Sequence, residues 1–316
     1  MSRQQTDAYG GKVKELDVMA VRSPHAPPRA MILVDGPTPF DPRVFVRGNP
    51  SQPGRAVPRQ FLEILTPPGR RRPFTQGSGR LELARAITSS DNPLTARVIV
   101  NRVWMYHFGE PLVATPSDFG TRTAPPAQLD LLDRLAFQLQ RDGWSIKALH
   151  RRIILSRAYQ QAAVAGDAAA AGRRIDPDNR LLWRMNRQRL DWEAMRDTLL
   201  AVSGRLELRS GGRPIDVAGD PQARVRTVFG LVDRQSLPGV FRAFDFASPD
   251  VSIERRVRTM VPQQALFALN SSLMLTQAKS LAGRPEIVAA IDSPARVTAM
   301  YRVVFGRAPT DDERAD

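Results

Sequence analysis

The chain has no cysteine. A c-type haem needs Cys-x-x-Cys-His, so covalent haem attachment is excluded. Histidine is nearly as scarce, with three residues in 316. No two of them stand four apart on a helix, which argues against a histidine-built metal site. A calcium loop of the Asp-x-Asp-x-Asp-Gly kind is missing too. There is no Gly-x-Ser-x-Gly elbow for a serine hydrolase and no Gly-x-x-x-x-Gly-Lys loop for a nucleoside triphosphate. No dinucleotide fingerprint follows a strand. No apolar run reaches the ~18 residues that would span a bilayer. Met1–Ala20 is polar and lacks the apolar centre of a signal peptide. These absences leave a globular protein with no ready-made catalytic signature.

What is plentiful is arginine. It outnumbers lysine about tenfold among the 46 basic residues, and the formal net charge is +14. Such charge can mark a nucleic-acid binder. Here the arginines are scattered, Arg70–Arg72 being the one triple, and aspartate and glutamate are interleaved with them. No aromatic-basic RNA pattern or recognition helix accompanies them. A solvated, salt-bridged surface is the plainer reading, and an anionic ligand such as an acidic polysaccharide is the functional one. Specific nucleic-acid binding is not expected.

The chain divides by pattern. Residues 1–17 are polar. Val18–Val21, Ala30–Val34 and Val44–Arg47 read as short strands, punctuated by Pro27, Pro28, Pro37, Pro39 and Pro42. Pro67–Gly79 reads as a Pro/Gly/Arg linker. From Arg80 the spacing turns helical. The expectation is a mainly α protein: a small β-rich segment with its linker over 1–79, then a helical domain over 80–316.

The most telling helix is NPLTARVIVNRVWMYHFGEPLVATPSDFG, Asn92–Gly120. Asp91 or Asn92 is placed to cap it, Pro93 suits its first position and Gly109 its end. Apolar side chains lie on every side of it, so burial is expected, with Val98, Val103 and Trp104 inside. Further helices are expected at Leu81–Thr88, Pro125–Arg141, after a Ser145 cap, at Asp191–Val202, Pro262–Leu269, Ser272–Leu281 and Pro294–Phe305 with Ser293 as cap. Gly166–Gly172 reads as a loop or frayed helix end, and Thr227–Val232 as a strand. Thr310 and Glu313 form a capping box for a last helix that reads as truncated.

A candidate site follows from the satisfaction rule for buried polar groups. Arg97 and Asn101 share a helix side with Trp104 and Phe108. Together with Asp118, Arg184, Arg187, Arg189 and Asp245 they form the polar set most able to hold an anion or a sugar, by arginine forks and aromatic faces. The same set can equally be internal ion pairs, with Asp118, Asp133 and Asp197 as partners. His150, spaced with Ile146, Leu149 and Ile153, is a candidate general base, and His107 a weaker one. His25 lies in a proline-rich turn and is expected to be idle.

Five blocks carry a family resemblance: Asn92–Gly120; GWSIKALHRRIILSRAYQQ at Gly143–Gln161; DPDNRLLWRMNRQRLDWEAMRDTLLAVSGRL at Asp176–Leu206; VDRQSLPGVFRAFDFASPD at Val232–Asp250; and VPQQALFALNS at Val261–Ser271. In order and spacing the chain resembles the C-terminal domain of unknown function, the PSD-one domain, of planctomycete cytochrome-c-type multidomain proteins. Gln128 stands where many members carry histidine, and Ser252-Ile253 where many carry a cysteine. The resemblance implies an exported parent, periplasmic or extracellular, with a cytochrome-c-like domain and its signal peptide upstream. It implies no activity and no cofactor. The expected role is a non-catalytic binding or scaffold module. The alternative is a polysaccharide hydrolase using Asp118, Asp245 and His150 as acid and base.

Overall fold

A computed structural model describes residues 2–23, 32–163, 166 and 169–315. The chain forms two compact units, Met1–Pro93 and Leu94–Asp316. Among the described residues the protein is mainly α-helical, and the one named sheet has two strands near the N-terminus. The mainly α architecture with a small β segment is therefore what the sequence pattern implies.

The first unit opens with α1, Arg3–Arg22. This corrects the strand expected at Val18–Val21. The cause lies upstream: Ser2 Oγ accepts from the Gln5 amide and Gln5 Oε1 from the Ser2 amide, a capping box that starts a helix early. Residues 32–34 have no regular structure, and Pro27, Pro28, His25 and the start of the strand expected at Ala30–Val34 lie outside the described residues. β1, Arg43–Phe45, pairs antiparallel with β2, Pro53–Ala56. The stretch 67–79 is tied down rather than loose. Arg71 Nε donates to the Phe61 carbonyl at 2.9 Å, and Asp35 accepts from Ser78 and Arg80. Hydrogen bonds from the Ser78 hydroxyl and amide, with help from Arg80, hold the Asp35 carboxyl down at about 2. α2, Arg80–Thr88, closes the unit.

The second unit begins with α3, Thr95–Phe108. It starts two residues later than proline placement suggests, with Leu94 at the cap. The Asn92 amide is engaged elsewhere, donating to the Ile87 carbonyl at 2.8 Å. α4 spans Leu129–Arg141 and α5 Ile146–Ile154. Leu132, Leu135, Ala136 and Leu139 form one stripe of α4, at helical spacing, and are buried against Val100, Trp104 and Phe108 of α3. Leu149 and Ile153 of α5 complete this core. Trp104 and Phe108 stack at 4.1 Å between ring centroids. α3 is less enclosed than its composition suggests: Val98 and Val103 are half-buried, and Tyr106 is 76% exposed. The turn into α5 is tight. Gly143 sits at φ +65°, Trp144 N–H returns to the Leu139 carbonyl, and Ser145 Oγ accepts from the Ala148 amide.

α6, Ala169–Ile175, is helical where a loop or frayed end was expected. α7 spans Trp192–Val202, and Asp191 caps it by accepting from the Ala194 amide at 2.9 Å. α8, Gly239–Ala243, follows a long irregular stretch. Within that stretch Thr227–Phe229 is a 3-10 turn, not the expected strand. Asp197 explains it. Its Oδ1 accepts from both the Thr227 amide and hydroxyl at 2.7 Å, so that amide is unavailable to a sheet ladder. A second core gathers Trp192, Val217, Val225, Phe241 and Phe244. α9, Pro262–Asn270, α10, Ser272–Ala282, α11, Pro285–Val288, α12, Ser293–Phe305, and α13, Asp311–Ala315, follow. α12 is capped by Asp292, whose carboxylate accepts from the Ala295 amide, so Ser293 lies inside the helix. Thr310 and Glu313 do form their reciprocal pair.

Trp104 is 7% exposed in the first core. Trp104→Ala should cost ~3–5 kcal/mol in a denaturant titration, the range for a deleted buried aromatic. A loss under about 1 kcal/mol would place α3 outside the load of the fold.

Candidate functional site: an arginine-edged cleft

The last carbonyls of α3 have no helical partners and lie beside a buried phenylalanine. Two side-chain amides from one short stretch satisfy them. Asn186 Nδ2 donates to the Phe108 carbonyl at 2.9 Å, and Gln188 Nε2 to the His107 carbonyl at 2.8 Å. Gly109, at φ +82°, makes room: a Cβ there would come within 3.0 Å of the Gln188 side chain. Asn186 is itself held, because Asn179 Nδ2 donates to its Oδ1 at 2.8 Å. Asn179 and Asp176 are buried, and they bind the backbone of residues 180, 181 and 184. The polar residues of this block thus fold a compact turn and press it onto the end of α3.

Beside that seal lies a cleft of about 830 Å³. Its walls are the end of α3, the stretch before α7, the Phe244-Asp245 corner after α8 and the stretch 254–258. Tyr106, Met105 and Phe244 supply apolar surface. Four guanidinium groups also line it, and they are not equivalent. Arg256 is paired twice with Glu193, at 2.7 and 2.9 Å, and lies 4.8 Å above the Phe246 ring. The Glu193 hydrogen bond raises its pKa against the opposing effect of burial. Arg255 meets Glu110 at 3.3 Å. Arg189 donates to the Thr259 carbonyl at 2.7 Å, and Arg258 reaches Gln188 Oε1 at 3.4 Å. Among the described residues neither Arg189 nor Arg258 has a carboxylate within ion-pair distance, and Glu254 has no paired cation.

The residues expected from sequence fall in different places. Arg189 and Asp245 line the cleft. Asp245 sits at φ +57°, a backbone state that aspartate tolerates better than most residues. Both its oxygens are used: Thr259 N–H and Oγ1–H donate to them at 2.7 Å. Arg97 forms a fork with Asp133, at 2.5 and 2.9 Å, between α3 and α4. Asn101 is fully buried and pins Val113 through its amide and carbonyl. Trp104 belongs to the core. Asp118 is taken by the Gly120 amide and Arg122, outside the cleft. Arg184 lies over the Trp183 ring at 5.3 Å, and Arg187 is exposed. His150 touches the cleft only through His107, 2.7 Å away. The carboxyl pair that a hydrolase of the expected kind would use, Asp118 with Asp245, is therefore not assembled in this cleft.

Sequence reasoning missed Asn186, Gln188, Arg258 and the buried Arg196. The amides beside Trp183 carried one signal, side-chain donors just after a compact turn. The other was ERRVR, Glu254–Arg258, whose basic density is local rather than scattered.

Two helical cores, the polar seal at the end of α3 and the arginine-edged cleft beside it define a mainly helical domain. Residues 79–316 match the model of the family described as PSD1, Protein of unknown function (DUF1553). The chain belongs to that family. No curated protein and no solved structure matches it.

Proposed function

We propose that this domain is a non-catalytic binding module whose cleft takes an acidic ligand, with an anionic polysaccharide as the favoured class. One observation carries the reading: Arg189 and Arg258 edge the cleft with no carboxylate partner among the described residues, while neighbouring Arg255 and Arg256 are neutralised. A guanidinium already held by a carbonyl or amide is oriented at little further entropic cost when an anion arrives. The exposed Tyr106 ring supplies a face on which a sugar can lie. The block resemblance supports the wider setting of an exported, planctomycete-type multidomain protein with a cytochrome-c-like domain upstream. Fractionation of the native host tests that setting, and a cytoplasmic pool of the protein contradicts it.

The binding reading is tested by titrating the purified chain with a sulfated and a neutral glycan at low and near-physiological salt, beside a reducing-end release assay. Acidic-glycan binding should weaken steeply with salt. Arg189→Gln or Arg258→Gln should each weaken it about tenfold, the low end for a charge-assisted hydrogen bond. Salt-independent binding to the neutral glycan contradicts the electrostatic reading. Turnover abolished by Asp245→Asn contradicts the non-catalytic one.

A further inference from the structure

Two imidazoles stand nitrogen to nitrogen at the cleft wall. His107 Nε2 at the end of α3 lies 2.7 Å from His150 Nδ1 on α5, with the rings edge-on at 69°. At that separation one proton sits between the nitrogens, one ring donating and the other accepting. A neutral pair keeps this bond. A singly protonated pair keeps it too, because the imidazolium donates to the neutral ring. A doubly protonated pair sets two donors face to face, and the contact must open.

The pair is also wired to the candidate site. His107 lines the cleft, its carbonyl accepts from Gln188 Nε2, and Gln188 Oε1 accepts from Arg258. A charge gained at His107 therefore appears in the cleft that Arg258 also lines. We propose that the His107–His150 pair makes the acidic-ligand cleft responsive to pH, taking up one proton as an anion enters and so tightening binding as pH falls. This rests on the reading of the cleft as an anion site.

The surroundings allow that uptake. Tyr159 meets His107 edge-on at 5.4 Å from the segment after α5. Lys147 stands one turn before His150 on α5 and is exposed. Across the cleft, Glu110 is occupied by Arg255, Asp191 by its helix cap and Arg256, and Asp245 by Thr259. That leaves Glu254 as the unpaired carboxylate, against Arg189 and Arg258. Burial first, and the neighbouring His150 second, hold His107 below the ordinary imidazole value. An incoming anion reverses that balance, and by linkage what stabilises the imidazolium is itself bound more tightly by it.

The test titrates the full chain with a sulfated glycan, whose sulfate esters stay ionised throughout, from about pH 7.5 to about pH 5.5, either side of an ordinary imidazole. Affinity should rise by about threefold to tenfold on acidification, which corresponds to a rise of about half a unit to one unit in the pKa of the pair on binding, within the limit of about tenfold per pH unit for one linked proton. Arg258→Gln should weaken binding at both ends and keep the rise. His107→Gln should remove the rise, and His150→Gln should move it to higher pH. NMR titration of the histidine imidazoles in the native chain gives a readout free of any folding defect in the variants: ligand should raise the pKa of the pair. Equal affinity across the window, or imidazoles indifferent to ligand, overturns the inference while the cleft reading stands. Absence of binding at every pH overturns both.

Discussion

The open carbonyl end of α3 is the constraint on which the C-terminal unit depends. α3 carries the buried side of the first core, Val100, Trp104 and Phe108, so its end cannot be left to water. Asn186 and Gln188 satisfy it, and satisfying it fixes where the chain goes next. Asp191 caps α7 three residues after Gln188, and Trp192 then enters the second core. The cleft is the space left between that seal and the Asp245–Thr259 brace. Seal, second core and cleft are three consequences of one hydrogen-bonding demand.

The arginines show how a strongly basic chain folds without a matching number of acids. Arg196 is fully buried on α7, yet its main partners are not carboxylates. It donates to the carbonyls of Ala223 and Val225 and to Thr227 Oγ1, stitching an irregular stretch to the helix, with Asp197 at 3.7 Å. Burial lowers its pKa, while Asp197 and Asp220 oppose that effect. A buried guanidinium is costly unless its donors are met, and here two carbonyls and a hydroxyl accept from its terminal nitrogens while Nε has no partner. Arg256, by contrast, is neutralised by Glu193. Arg189 and Arg258 stand between the two cases, the first held by the Thr259 carbonyl and the second by Gln188 Oε1, with no carboxylate partner for either among the described residues.

Local signals were the legible part. Ser145 and Thr310 cap helices as their positions imply, because a cap needs only the next three residues. The α4 stripe is legible for the same reason, since periodicity reports which face is buried. Failures came where another hydrogen-bond partner, near or far in sequence, decided the outcome. Thr227 is claimed by Asp197, thirty residues away in sequence, and so leaves the strand pattern. Asn92 turns back to Ile87 and so gives up the cap of α3. At the site, Arg189 and Asp245 could be named from their blocks, but their neighbours could not. Whether an arginine is spent on Glu193 or left beside Gln188 is a fact of tertiary geometry that no spacing encodes.

Hydrogen exchange on the double variant Asn186→Ala/Gln188→Ala tests the seal most directly. Each lost bond to a half-buried carbonyl is worth about 1 kcal/mol, so opening of the sealed region should become roughly tenfold or more easier. Amides of 185–191 and 254–259 should exchange correspondingly faster, with the centre of α4 left protected. Unchanged exchange around the cleft, or a uniform loss of protection that reaches α4 equally, would contradict the account that this seal positions the site.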